Sequence, residues 1–238
     1  MRAITCSTSG TRRLALIIGA AAACHQAPSE AELPLHYPDK NAAIARFNDP
    51  ERSAWAMPDR VVDALPELGP AATVADIGAG SGYFARRLAT RVPKGVVYAV
   101  DVDSDFKRYI ETNREAWGTP NIEPRLAVYE NPLLPAGQID LVFLSNTYTY
   151  IDHRTLYFRE VHTALRAGGS LVIVDFRKHA ACGDTHDCPP KARRIGRDTA
   201  LTELTAAGFV LTREETFLPH QYFLILTKTA DKHPTHSH

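Results

Sequence analysis

The chain has 238 residues, of which 45% are hydrophobic, and its 27 basic residues balance its 27 acidic ones. That length and hydrophobic share are enough for one α/β core and short for two full domains. The balanced charge gives no net positive field, and the sequence has no dense basic run interleaved with aromatic residues. We therefore expect no nucleic-acid partner.

Residues 1–23 have the organisation of a secretory signal peptide. Arg12 and Arg13 precede the apolar run Leu14–Ala23, which is too short to span a membrane, and Cys24 follows directly. Small residues before a cysteine resemble the lipidation site of bacterial lipoproteins, although the usual leucine three places earlier is missing. Two outcomes stay open: lipidation of Cys24 with membrane attachment, or simple cleavage. Both predict export, either as a periplasmic protein or as a membrane-anchored lipoprotein. A cytoplasmic location requires instead that this segment is an alanine-rich helix.

Composition divides the rest of the chain into four segments. Residues 24–36 are rich in Ala, Pro, Ser and Glu and are expected to form a disordered tether. Residues 37–66 predict short helices, interrupted at Pro50, that cover a binding site or the sheet edge. Residues 67–230 hold the main domain. Residues 231–238 form a polar tail with three histidines.

Apolar strands alternate with amphipathic helices throughout the main domain, which is typical of a parallel sheet with helices on both faces. Pro124 interrupts the third strand and predicts an edge position. Asp152 is expected to cap the helix before the fifth strand, and Gly168-Gly169 to end it. The expected fold class is α/β, a Rossmann-like doubly wound, mostly parallel seven-stranded sheet with a C-terminal antiparallel hairpin. The predicted strands are Val74–Ile77, Val96–Val100, Ile122–Val128, Ile139–Leu144, Leu171–Phe176, and a closing pair at Phe209–Leu211 and Tyr222–Thr227.

The stretch Thr73–Tyr83, T-V-A-D-I-G-A-G-S-G-Y, reads as a buried strand, a glycine turn and the approach to a helix. Glycine lets the backbone adopt positive φ and approach a ligand closely, near the unpaired N–H groups of the helix N-terminus. Gly78, Gly80 and Gly82 alternate, whereas a dinucleotide site has the spacing G-x-G-x-x-G. Asp101 ends the next strand, where a carboxylate can accept both hydroxyls of a ribose.

At these motifs the chain resembles the class I S-adenosylmethionine (SAM)-dependent methyltransferases. The similarity extends from about Ala56 to Lys228 and assigns residues 67–230 as the methyltransferase domain. Two further stretches, Asn48–Val62 and Phe217–Leu224, resemble a group of exported bacterial predicted methyltransferases. The motifs that carry the main resemblance are D-I-G-A-G-S-G (Asp76–Gly82), V-D-V-D (Val100–Asp103), I-D-L-V (Ile139–Val142) and R-A-G-G-S-L-V-I-V-D (Arg166–Asp175).

The resemblance implies SAM as the cofactor and assigns residues to its parts. The methionine end is expected at Asp76, Gly78 and Gly80, the ribose at Asp101, and the adenine near Val102 or Asp103. Residues that follow the fourth strand are expected beside the transferred methyl group: Asn146 as a cofactor contact, and Thr147 and Tyr148 in the substrate pocket.

Two positions depart from the family pattern. Many relatives carry an acidic residue where the third strand ends, whereas this chain has Ala127-Val128, with Glu130 nearby. Many also carry two histidines shortly after the fourth strand, where this chain has Thr149-Tyr150. The departure at Thr149-Tyr150 puts a histidine general base at that point in doubt.

The expected function is methyl transfer to a small-molecule acceptor, by in-line displacement. Holding the acceptor in line with the methyl carbon supplies most of the rate, so a general base is not obligatory. Candidates for a base are Tyr150, Asp152 and His153. Each also has a structural interpretation, as a pocket wall, a helix cap and a surface residue respectively. The alternative function is an exported module that binds SAM or a nucleotide without catalysis.

Of the four cysteines, Cys6 lies in the signal segment and Cys24 would carry the lipid, which leaves Cys182 and Cys188. In an exported protein such a pair predicts a disulfide that closes a short loop, and we expect no metal. With His179 and His186 the same thiols suggest a zinc site, but the spacing matches no strong zinc pattern. A third interpretation is that the thiols hold a thiophilic metalloid as the methyl acceptor.

Overall fold

The computed structural model describes residues 37–182 and 188–229. The predicted signal peptide, the tether with Cys24, His186 and the histidine tail lie outside these residues. Within the described ranges, no helix combines the length and the apolar character needed to cross a membrane.

Seven strands form one sheet in the described part of the chain: β1 (Thr73–Ile77), β2 (Val96–Asp101), β3 (Ile122–Leu126), β4 (Ile139–Ser145), β5 (Leu165–Phe176), β6 (Phe209–Glu215) and β7 (Gln221–Lys228). Their spatial order is β3-β2-β1-β4-β5-β7-β6. Neighbours among the first five strands are parallel, whereas β7 is antiparallel to both β5 and β6. The predicted fold class is therefore confirmed, and Pro124 lies on the edge strand β3 as expected.

The helices pack on both faces of this sheet because residues along each strand point alternately to one face and the other. One buried cluster includes Val74, Leu141 and Val172, and the other includes Ala75, Val142 and Ile173. The helices are α1 (Lys40–Phe47), α2 (Arg52–Ala56), α3 (Pro58–Asp63), α4 (Ala85–Arg91), α5 (Ser104–Asn113), α6 (Arg154–Ala164) and α7 (Arg197–Ala206), with a 3₁₀ turn at Tyr148–Tyr150.

Strand β1 defines the place where a ligand can enter. Strand β2 lies on one side of β1 and β4 on the other, so the connections that leave β1 and β4 diverge. In open parallel sheets the crevice between such diverging connections is the usual ligand site. Both predicted motifs, the glycine turn after β1 and Asp101 at the end of β2, lie at this end of the sheet.

Two local predictions are wrong. Asp152 does not cap α6: the residue before that helix is His153, in a left-handed conformation with φ +48°, and no side chain caps the helix. The helix also ends earlier than Gly168-Gly169, because the chain re-enters the sheet at Leu165, which pairs with Ile139. The next pair is Leu141 with Ser170, so the glycines lie in an irregular segment of β5.

Candidate active site

A cavity of about 330 Å³ opens at the carboxyl ends of β1, β2 and β4. Its floor is the turn after β1, with Gly78 and Gly80, and its walls include Asp101 and Asn146. Helices α1 and α2 contribute Phe47 and Arg52 to the lining. The cavity therefore brings together the predicted cofactor residues and part of the predicted helical cover.

The glycine turn presents bare backbone to the cavity. The N–H groups of Gly78 and Ala79 both donate to the carbonyl oxygen of Val100, at 2.8 and 3.1 Å, which fixes the turn against β2. Gly78 and Gly80 have φ of +75° and +53°, the left-handed region that L-residues disfavour. A Cβ at Gly78 would clash with the side chain of Thr147. A Cβ at Gly80 would come within 3.2 Å of the Phe47 ring.

Asp101 lies beside this turn, and both of its carboxylate oxygens accept hydrogen bonds from backbone N–H groups. Its Oδ2 accepts from the N–H of Gly80 at 2.9 Å, and its Oδ1 accepts from the N–H of Asp103 at 3.0 Å. Each oxygen keeps further acceptor capacity, so the carboxylate can accept two hydroxyl groups as well. Burial raises the pKa of Asp101 to about 6, although these hydrogen bonds oppose the shift.

Asp76 is a second, deeper carboxylate. It is only 2% exposed, and burial, together with the negative charge of Asp101, raises its pKa to about 7. The positive charge of Arg52 acts in the opposite direction. The Oδ2 atom of Asp76 is buried and accepts no hydrogen bond from the described residues.

Among the carboxylate, hydroxyl and amide groups that line the cavity, three buried atoms share this lack of a partner within the described residues: Asp76 Oδ2, Ser145 Oγ and Asn146 Nδ2. Burying a polar atom without a hydrogen bond costs about 1–3 kcal/mol, so folded proteins rarely leave three such atoms in one place. Their clustering in one cavity indicates a polar ligand that satisfies them.

Asn146 is held by a residue that the sequence did not single out. Its backbone is left-handed, with φ +57°, and its Oδ1 accepts from Gln221 Nε2 at 2.7 Å. Gln221 is 1% exposed and comes from β7, 75 residues further along the chain. This contact leaves the Nδ2 group of Asn146 as a donor at the cavity wall.

Helices α1 and α2 are fastened over the cavity by polar and aromatic contacts. Lys40 forms an ion pair with Asp103, whose carboxylate also caps α5. Asp103, predicted to lie near the adenine, borders the cavity. Phe47 packs against Tyr37 and Phe106, with ring centroids 5.3 and 5.7 Å apart.

Arg52 is the basic residue of the cover whose charge acts on the deep carboxylate of Asp76. It donates to the carbonyl oxygen of Phe47 at 2.9 Å, and its guanidinium lies 4.3 Å from the centroid of the Tyr83 ring. Arg87 lies 4.4 Å from the same centroid. Arg52 lies within the sequence motif Asn48–Val62. A sequence pattern could not show, however, that the charge of Arg52 acts on Asp76.

The structure separates the residues predicted beside the transferred methyl group. Asn146 and Thr147 line the cavity, and so do Val102, predicted near the adenine, and Tyr150, a candidate base. Tyr148 does not: it is fully buried, packs on Phe158, and its hydroxyl donates to Glu203 at 2.6 Å. The expectation that Tyr148 lies in the substrate pocket is therefore not met, because the 3₁₀ turn directs its ring into the core.

The three candidate bases are separated in the same way. Tyr150 borders the cavity, whereas Asp152 and His153 are exposed to solvent outside its lining. The positions of Asp152 and His153 give them no access to a ligand in the cavity.

Cys182 and Cys188 are joined by a disulfide, with Cα atoms 6.1 Å apart. Cys188 borders the cavity with Pro189 and Pro190, so one end of the disulfide and the residues after it form part of its wall. Among the described residues, no group of three or more His, Cys, Asp or Glu side chains is arranged to hold a metal ion.

Comparisons with known proteins agree with this geometry. Residues 74–169 match the family model described as "Methyltransferase domain". The chain is 29% identical over 136 residues to a sarcosine/dimethylglycine N-methyltransferase from Halorhodospira halochloris, covering 56% of this chain and 49% of that protein. It is 26% identical over 104 residues to a malonyl-[acyl-carrier protein] O-methyltransferase from Ilyobacter polytropus, covering 43% of this chain and 37% of that protein. The matches thus span less than half the length of each of these curated relatives.

A solved structure shows the same fold. The SAM-dependent methyltransferase from Aquifex aeolicus superposes with a TM-score of 0.73 at 22% identity, over 80% of this chain and 99% of that one. Residues 74–169 therefore match a methyltransferase domain, and the fold is that of a SAM-dependent methyltransferase. SAM is the cofactor of this class, and the residues present fit it, because SAM offers hydroxyl, ammonium and carboxylate groups to the three unsatisfied atoms and to Asp101.

Proposed function

We propose that this protein transfers a methyl group from SAM to a small-molecule acceptor. The observation that carries the proposal is the cavity in which Asp76 and Asp101 converge on the glycine turn, with the unsatisfied atoms Asp76 Oδ2, Ser145 Oγ and Asn146 Nδ2 in its lining. SAM supplies a methyl carbon bonded to a positively charged sulfur, which makes that carbon a strong electrophile.

Each end of the cofactor has a matching group in the cavity. Asp101 would accept the ribose hydroxyls, since its oxygens have acceptor capacity beyond the backbone N–H groups that donate to them. Asp76 would accept from the ammonium group of the methionine part. Arg52, on the cover and within electrostatic reach of Asp76, would balance the methionine carboxylate. Val102 and Val128 would face the adenine.

The residues after β4 would orient the acceptor. Thr147 and Tyr150 border the cavity, and the turn that carries them is fixed from beneath by Asp175, which accepts from the N–H of Thr149 at 3.1 Å. A rigid wall contributes to rate by holding the acceptor in line, which requires no proton transfer. Where the acceptor is a hydroxyl or a protonated amine, Tyr150 is the one of the three candidate bases in a position to take its proton.

The acceptor atom stays open in this proposal. The two curated relatives are named for transfer to nitrogen and to oxygen respectively, so their names do not favour one atom. The metalloid interpretation loses its basis, because a disulfide between Cys182 and Cys188 leaves neither sulfur as a thiolate to bind one.

We also propose that the chain is exported. The basic pair Arg12-Arg13, the apolar run Leu14–Ala23 and Cys24 support this proposal. Cell fractionation tests export, and mass spectrometry of the N-terminus separates a lipidated Cys24 from a cleaved chain. A full-length cytoplasmic chain would contradict the proposal.

The test of methyl transfer is an acceptor screen that detects S-adenosylhomocysteine. Purified protein is incubated with SAM and fractionated small-molecule extracts, and product is measured by mass spectrometry. Catalysis predicts acceptor-dependent S-adenosylhomocysteine and a product that is 14 mass units heavier than its acceptor, because CH₂ is added overall. The alternative, a binding module without catalysis, predicts SAM binding and no product with any fraction.

A further inference from the structure

Exposed apolar side chains concentrate at the mouth of the cavity. Among the described residues, seven large apolar side chains are exposed, and five of them lie where β2 and β3 end: Val102, Leu126, Val128, Tyr129 and Leu133. Val102 and Val128 would face the adenine under the proposed function. The other three, Leu126, Tyr129 and Leu133, are 49%, 47% and 53% exposed, and we call them the rim patch; of these, Tyr129 also borders the cavity.

The local backbone conformation determines where the side chains of the rim patch lie. Leu126 is the last residue of the edge strand β3, where it pairs with Asp101, and the chain then turns through a bridge between Val128 and Asn131. Leu133 follows with φ +53°, a left-handed conformation that a leucine adopts at an energetic cost. The side chain of Asn131 stabilises the turn by accepting from the N–H of Leu133 at 2.7 Å. A strained backbone that presents an apolar side chain to solvent suggests a binding role.

The predicted tether joins the described part of the chain at the cavity. Tyr37, the first described residue, borders the cavity. The predicted tether, residues 24–36, has 13 residues and spans at most about 45 Å when fully extended. A membrane anchor at Cys24 would therefore keep the cavity mouth within that distance of a bilayer.

We propose that the rim patch docks on the surface of a lipid bilayer. This inference rests on the proposed export and on the proposed function of the cavity. The patch suits a bilayer because its three side chains are apolar or, for Tyr129, amphipathic, a type of side chain favoured at the headgroup boundary. Docking adds a second, weak membrane contact beside the anchor and turns the cavity mouth toward the lipid.

Brominated-lipid quenching tests the docking. Tyr129→Trp places a fluorophore in the rim patch, and Val210→Trp places one at an exposed apolar position on β6, the opposite edge strand of the sheet. Both full-length proteins are reconstituted in vesicles of phosphatidylethanolamine and phosphatidylglycerol, with or without bromine on the acyl chains. The emission of the unmodified protein is subtracted. We expect the tryptophan at 129 to be quenched and the one at 210 not.

Leu133→Asn in the Tyr129→Trp protein provides the second arm. Asparagine tolerates the left-handed conformation better than leucine, so the turn is retained while an apolar contact is lost. We expect the quenching at 129 to fall by at least half. Equal quenching at 129 and 210, or none at either, would overturn the proposal. So would a blue-shifted emission at 129 that depends on protein concentration without lipid, which indicates a second copy on the patch. None of these readings requires SAM, so a failure here is distinct from failed SAM binding by the unmodified protein in solution.

Discussion

The affinity for SAM should depend steeply on pH, because two carboxyl groups of the cavity have pKa values that are raised toward neutral pH. Burial raises the pKa of Asp76 to about 7 and that of Asp101 to about 6 in the ligand-free protein. SAM carries positive charge, which favours the ionised carboxylate, so binding should release protons. The affinity therefore rises with pH and levels off above about 7.

The magnitude follows from the fraction of ionised Asp76. At pH 6 a carboxyl group with a pKa of about 7 is about 90% protonated, which weakens binding about tenfold relative to pH 8. At pH 5 the loss is larger, because Asp101, whose pKa is raised to about 6, is then mostly protonated as well.

Calorimetric titration from pH 5 to 8, in two buffers of different ionisation enthalpy, measures both the affinity and the protons released. Asp76→Asn should bind more weakly at pH 8 and lose most of the pH dependence. Adenosine, which lacks the ammonium group, should show only the step near pH 6 that belongs to Asp101. An affinity for SAM that is constant across this range, or that increases on acidification, would refute the assigned roles.

Three further predictions follow from the same geometry. Gly80→Ala should lower stability by about 1–2 kcal/mol and weaken SAM binding, because φ is +53° and the Cβ would come within 3.2 Å of Phe47. The matched control, Gly118→Ala, has φ +70° with open space around the Cβ and should lower stability alone, so equal SAM affinities in the two variants would contradict this reasoning. Tyr150→Phe should reduce turnover of a hydroxyl acceptor whereas His153→Gln should not, and a reversed order in steady-state kinetics would return His153 to the site. Burial raises the pKa of Asp175 from 3.8 to about 7, so its contribution to the stability of the ligand-free protein is full below about 3.8 and is lost as pH rises through about 7. Asp175→Asn should therefore flatten the decline in melting temperature over that interval, and an unchanged profile would show that another group causes it.

Local sequence patterns predicted the sheet because its strands are apolar on both faces and its turns are marked by glycine and proline. The glycine turn after β1 and Asp101 at the end of β2 followed from the same patterns, since parallel strands end at one edge. These features depend on residues that are neighbours in the sequence or on the repeated strand–helix unit. A single sequence is enough to show both.

Contacts between distant residues could not be predicted in this way. Gln221 reaches Asn146 from β7, and Arg52 approaches Asp76 from the helical cover, because the fold brings their elements together. Sequence patterns also do not predict in which direction the side chains of a short turn point. Tyr148 and Tyr150 are two residues apart, yet one enters the core and the other borders the cavity.

The most direct test of the central claim is a titration of the purified protein with SAM at pH 8, compared with the variant Asp101→Ala. The account predicts one binding site per chain in the unmodified protein and an affinity at least tenfold lower in the variant, because hydrogen bonds to a charged group contribute about 1.5–3 kcal/mol each. No measurable binding by the unmodified protein, or equal affinity in the variant, would contradict the cavity as a SAM site.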